Sequence, residues 1–346
     1  MNSRAQTTEQ ASLSMPNSSQ ATGGSLLRKR SYNGPSVRTL LVTVVVLAVA
    51  AGAAGLVSGS TTVLMQALVT GLLTGGIYSL IAMGLTLIYG VLHIINFANG
   101  AMVALSMFIT YAVVNSWNFH PFAALIITVP AMFLIGVLVQ LFLLNPIIEA
   151  PIHTQLLVTI GLSLAIENIL LMVFGPNPLS VELPGNQGIT IAGATIDLSR
   201  IFAFIGALIL VTGLWLLLRK TSIGTAIRSV AASPEGSRLV GINVKFIYVL
   251  TFGLGAAATA AAGTLVSTFT TVEPSAGAVF NLTAFVVVVL GGMGNLPGAL
   301  VGGLVVGITE QLGGLILPGQ SPLLAVFVVF LIVLFARPQG IFGKAS

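Results

Sequence analysis

From Arg38 to Arg200 the chain carries no lysine and no arginine. A water-facing surface is hard to build from such a span, because soluble domains keep about a quarter of their residues charged. Only 6% of residues are charged here and 56% are hydrophobic, with a mean hydropathy of +1.06. The chain therefore reads as an all-α integral membrane protein.

At about 1.5 Å of rise per residue, roughly 20 apolar residues cross the hydrocarbon core. Candidate spans are 38–58, 63–90, 97–114, 121–145, 151–175, 200–219, 247–271, 279–293, 296–316 and 321–337. That pattern predicts about ten transmembrane helices. The 63–90 and 279–316 regions read either as full spans or as broken, re-entrant ones. Residues 1–37, rich in Ser, Thr, Gln and Asn, read as a disordered tail, and 38–346 as one membrane domain. The apolar run after Arg38 is too long for a signal-peptide core of about 7–15 residues, so it is expected to be an uncleaved first span.

Basic residues orient the helices, because cytoplasmic loops collect lysine and arginine. Arg28, Lys29, Arg30 and Arg38 place the N-terminus in the cytoplasm. Six crossings later Arg219, Lys220, Arg228, Arg238 and Lys245 cluster in a loop over 220–246, and four more crossings bring Arg337 and Lys344 to the same side. The loop 176–199 has Glu182 and Asp197 without a base and belongs outside. The formal charge of +5 thus serves orientation rather than nucleic-acid binding. With no cysteine, disulfides, thiolate metal sites and cysteine nucleophiles are excluded; His93, His120 and His153 are isolated, so neither metal nor cofactor is expected.

Within the basic loop, Gly224–Phe246 carries two short helical patterns. Ser233-Pro234-Glu235 is a helix start, with a hydroxyl cap, proline at the first position and an acid in the first turn. Gly241 supplies the stop. The preceding helix, Thr225–Ala232, ends before Pro234, whose ring disfavours helical geometry just upstream. A plain basic loop needs neither cap nor stop, so a docking elbow is the favoured reading.

Two polar interruptions stand out in the apolar sequence. Asn96-Phe97-Ala98-Asn99-Gly100 and Gly294-Asn295-Leu296-Pro297-Gly298 share an asparagine and an exit into a helix rich in small residues. Paired breaks of this kind point to an internal repeat and a substrate path, where freed helix N-termini offer N–H groups to a carboxylate. The alternative is a pair of turns at the membrane surface. Gln155, Thr159, Ser163 and Glu167 form a polar stripe at four-residue spacing. Glu167 either lines a conduit or fastens its helix to a neighbour, since a charge facing lipid costs about 2.5–3.5 kcal/mol. Glu310-Gln311 admits the same two readings. Gly71/Gly75, Gly298/Gly302, Gly303/Gly307 and the Ala256–Ala262 run are expected to let helices approach closely.

The elbow resembles the coupling loop of branched-chain amino acid ABC transporter permeases, with their alanine-acid-small pattern followed by a glycine. Glu235 and Gly241 fit; Ala232-Ser233 stands where the family carries an acid before the helix break. The resemblance extends through Gly71–Tyr111 and Gly291–Gln311. It implies inverted internal repeats, broken helices and an inner-membrane location. It also implies two ABC ATPase subunits, a second, paralogous permease subunit and an extracytoplasmic substrate-binding protein. On that basis Arg228, Ala231, Ala232, Glu235, Arg238 and Gly241 are candidate ATPase contacts. Asn96, Asn99, Gly100, Glu167, Gly294, Asn295 and Pro297 are candidates for the translocation pathway. ATP hydrolysis falls to another chain, because no G-x-x-x-x-G-K-[ST] loop is present. Alternatives are a gradient-driven transporter or channel using Glu167 and Glu310, a urea or amide ABC permease, and a membrane enzyme; the last lacks any convergent acid, base or metal set.

Overall fold

The computed structural model describes residues 37–181, 188–191, 194–317 and 322–342. The tail 1–36 with Arg28, Lys29 and Arg30 lies outside them, as do Glu182 and Lys344. The helices are α1 (Val37–Ser58), α2 (Thr61–Leu92), α3 (Asn99–Trp117), α4 (Leu125–Val139), α5 (Ile152–Phe174), α6 (Leu198–Lys220), α7 (Ser222–Ala232), α8 (Pro234–Leu239), α9 (Val244–Val266), α10 (Ala276–Gly291), α11 (Leu296–Ile316) and α12 (Leu323–Ala336). Each expected span thus has a helix. Seven runs are long and apolar enough to cross a membrane among the described residues, while the apolar part of α1, α10 and α12 are shorter.

The region 63–90 is one unbroken helix within the 32-residue α2. At about 1.5 Å per residue α2 is about 48 Å long, more than the roughly 30 Å of hydrocarbon, so it must tilt or project. The region 279–316 is interrupted: α10 and α11 are joined at Gly292 and Gly294, whose φ angles of 99° and 79° suit glycine. With 16 residues, α10 is about 24 Å long and short of a full crossing.

The interior is built around α2 and α9, which are buried along most of their length, whereas α4, α5 and α6 form an outer layer. Small residues explain how the inner helices meet. A methyl group added to Gly71 would lie 2.7 Å from Ile308 Cα, and one on Gly75 2.8 Å from the Gly303 carbonyl oxygen, so the α2 and α11 backbones touch. Gly84 and Gly255 do the same for α2 and α9. In lipid the hydrophobic effect does not drive helix against helix, and close van der Waals packing supplies the attraction. α1 joins at Ala54, which packs with Ala67 and Leu312.

The segment 176–199, expected as an irregular loop, contains an antiparallel hairpin, β1 (Gly188–Ile191) and β2 (Ala194–Asp197), pairing Gly188 with Asp197 and Ile189 with Ile196. Its Ile and Thr residues are β-branched and favour extended backbone. The hairpin stands at the start of α6, at the opposite end of that helix from α7 and α8.

Candidate functional site

The elbow forms as its sequence dictates. Thr221 Oγ1 accepts from the Gly224 amide at 3.0 Å and starts α7; Ser233 Oγ accepts from the Gly236 amide at 3.0 Å and starts α8. The stop is a paired closure: the Gly241 amide donates to the Arg238 carbonyl and Ile242 to Ser237, with Gly241 at φ +83°. α7 buries Gly224, Ile227 and Val230 against the bundle. It leaves Arg228, Ala232, Glu235 and Arg238 exposed and Ala231 half-buried. Leu239 and Val240, 90% and 74% exposed, add an apolar tip that the charge pattern did not single out. Arg228 is also structural: its guanidinium donates to the Leu218 carbonyl and to Thr225 Oγ1, tying α7 to the last turn of α6.

The first break lies inside the bundle. Asn99, fully buried at the start of α3, accepts through Oδ1 from Thr259 Oγ1 at 2.9 Å. Thr259 sits past the midpoint of α9, so Asn96–Gly100 is not a turn at the bundle's end. The Gly100 amide donates to Asn281 Oδ1 at 3.3 Å, and a methyl on Gly277 would lie 2.9 Å from the Gly100 carbonyl oxygen. The first turns of α3 and α10 therefore meet within the protein. Asn96 Oδ1 accepts from the Ala98 amide at 3.1 Å, and Phe97 stacks on Phe285 with ring centres 5.8 Å apart. What remains is unpaired: Asn96 Nδ2 and Asn99 Nδ2 are buried with no hydrogen-bond partner. Each such group costs about 1–3 kcal/mol. The two asparagine amide nitrogens offer donors to a carboxylate or carbonyl, whereas most first-turn amides of α3 and α10 are already bonded within the protein.

The second break is a different place. Asn295 caps α11 by accepting from the Gly298 amide at 3.2 Å, with Pro297 in the first turn, and donates to the Phe342 carbonyl at 3.1 Å. The amides of Ile341 and Phe342 bond the carbonyls of Leu290 and Gly291, so the segment after α12 closes over the α10–α11 junction. Gly294 is exposed and packs beside Gly90 near the end of α2. The two breaks share composition but sit at different depths.

Along α5, Gln155 and Thr159 are buried, bonding the Ala150 and Ile95 carbonyls at 3.1 and 3.4 Å, while Ser163 and Glu167 are half-buried. Glu310 of α11 lies beside Tyr78 of α2. Thr259 and Asn281 were invisible to sequence reasoning, because each sits among small or apolar residues.

The family profile described as the permease component of branched-chain amino acid transport systems matches residues 67–336. The permease protein BraD of the high-affinity branched-chain amino acid transport system of Pseudomonas aeruginosa is 30% identical, over 81% of this chain and 96% of that protein. The corresponding permease protein LivH of Escherichia coli is 27% identical over the same shares. A probable branched-chain amino acid transport permease of Methanocaldococcus jannaschii is 29% identical over 67% of this chain and 76% of its own length. No solved structure matches the chain.

Proposed function

The chain belongs to the family of branched-chain amino acid transport permease components, and on that premise we propose that it is the membrane subunit of an ABC importer for branched-chain amino acids. Near-complete coverage of relatives named for this transport system carries the reading. It works with a second permease subunit, two ATPase subunits and an extracytoplasmic binding protein, in the inner membrane with both termini cytoplasmic.

In this reading α7 and α8 seat in a cleft of an ATPase partner. The capped α8, the exposed Glu235 and Arg238 and the apolar tip at Leu239 and Val240 support it. Arg228 transmits the partner's closure to α6 through its bond to Leu218. The bundle then alternates around Asn96–Gly100, where the unpaired amides of Asn96 and Asn99 meet the first turns of α3 and α10. Gly294, Asn295 and Pro297 act as a hinge between α10 and α11, and Glu167 faces the second permease subunit or the path between the two.

The test is uptake of radiolabelled leucine by the reconstituted importer carrying Glu235→Ala with Gly241→Val. Uptake should fall at least tenfold with insertion and yield unchanged, and the ATPase should no longer copurify. Uptake at the parental rate would remove the coupling role. Transport that collapses with an uncoupler while ATP is held constant would point instead to a gradient-driven carrier.

A further inference from the structure

At the end of the bundle away from α7 and α8, a cavity of about 500 Å³ opens between the starts of α2 and α6, the end of α11 and strand β2. Its size lies within the range of about 300–1,000 Å³ typical of small-molecule sites. Two charged side chains of opposite sign line it, Arg200 and Asp197, in contact at 3.4 Å. Asp197 precedes α6 without capping it, so its carboxylate is not committed to the helix. Arg200 is held from the other side by Phe269, whose ring centre lies 4.9 Å from the guanidinium carbon. The ion pair runs through Nε, which leaves the terminal fork, the part that grips a carboxylate with two parallel bonds. Val63, Ala67 and Leu315 give an apolar wall, and Gln66, Thr70 and Gln311 give neutral polar groups. One turn after Thr70 on α2, Thr74 Oγ1 is buried without a hydrogen-bond partner, and so is Oε2 of Glu310, the neighbour of Gln311 on α11.

We infer that this cavity is a receiving site for a free zwitterionic amino acid, with Arg200 on the carboxylate, Asp197 on the ammonium and the aliphatic side chain on Val63, Ala67 and Leu315. A net-neutral pair of opposite charges beside an apolar wall matches a neutral α-amino acid at three points, whereas a fatty acid or an alkylamine satisfies one charge and leaves the other facing a desolvated partner. The inference rests on the branched-chain substrate reading above. The site lies on the side where a binding protein would release its cargo, in series with the deeper Asn96–Gly100 region rather than identical to it.

The experiment is photolabelling of the complete importer in nanodiscs, without binding protein, by a diazirine analogue of leucine. Label is expected in peptides covering 63–70 or 311–315, competed by leucine at least tenfold better than by 4-methylpentanoate or 3-methylbutylamine. Arg200→Gln and Asp197→Asn should each reduce labelling at least tenfold, Arg200→Lys less so, and Thr70→Trp should block it by filling the space while leaving the ion pair in place. Label confined to other peptides, or label indifferent to all four substitutions, overturns the site. Leucine uptake by the same wild-type importer with its binding protein separates the two failures. Uptake without cavity labelling sinks the cavity alone, whereas absence of branched-chain uptake sinks the substrate reading and the cavity with it.

Discussion

Asn99 accepts one buried hydrogen bond from Thr259 and keeps an amide nitrogen unsatisfied. Replacing it with leucine removes both the bond and the free donor, so Asn99→Leu is expected to lower leucine uptake at least tenfold with the importer still assembled. Thr259→Val removes only the bond that orients Asn99 and should cost less in uptake, about threefold to tenfold, within the about 0.5–1.5 kcal/mol of an ordinary hydrogen bond. Parental uptake in Asn99→Leu would return this break to a packing role. The asparagines were legible because an amide pair inside an apolar run is conspicuous. Their partners were not: Thr259 lies 160 residues away, and nothing local marks it from the other hydroxyls of α9.

Among elements, the α2–α11 contact shows what small residues do. A methyl on Gly307 would overlap the Gly75 backbone, whereas one on Gly213 of α6 would meet nothing within 4 Å. Gly307→Leu is therefore expected to destabilise the protein by about 3 kcal/mol or more, beyond ordinary overpacking of about 1–3 kcal/mol, because backbone rather than a flexible side chain must move. Gly213→Leu should be near neutral; thermal unfolding of the purified protein in detergent compares them. Four-residue glycine spacing announced a close contact in advance, yet not which helices would share it. The elbow was readable almost in full, since its caps are made by neighbours three to five residues apart, as Ser233 with Gly236 and Ser237 with Ile242 show.

For the molecule as a whole, sidedness is the testable property. The chain contains no cysteine, so single cysteines report without background. In the permease expressed without its ATPase partner, Val240→Cys on the elbow is expected to react with an impermeant maleimide only after the membrane is opened, and Thr190→Cys on β1 in intact cells. The reverse pattern would invert the assignment of α7 and α8 to the cytoplasm and place the Arg200 cavity inside. The hairpin itself went unforeseen because four-residue strands carry too little periodicity to stand out from a loop.

Hydropathy determined that this chain lives in a bilayer and about where its helices run, and the capping residues determined where the elbow bends, because those depend on transfer free energy and on bonds between near neighbours. The tertiary structure decided the rest. It showed that 63–90 stays whole, that the Asn96–Gly100 break is deep while the Asn295 break is sealed by the segment after α12, and that Arg200 and Asp197 share a cavity with α2 and α11. Depth and neighbourhood come from segments far apart in the chain, brought together by backbone contacts that only glycine permits.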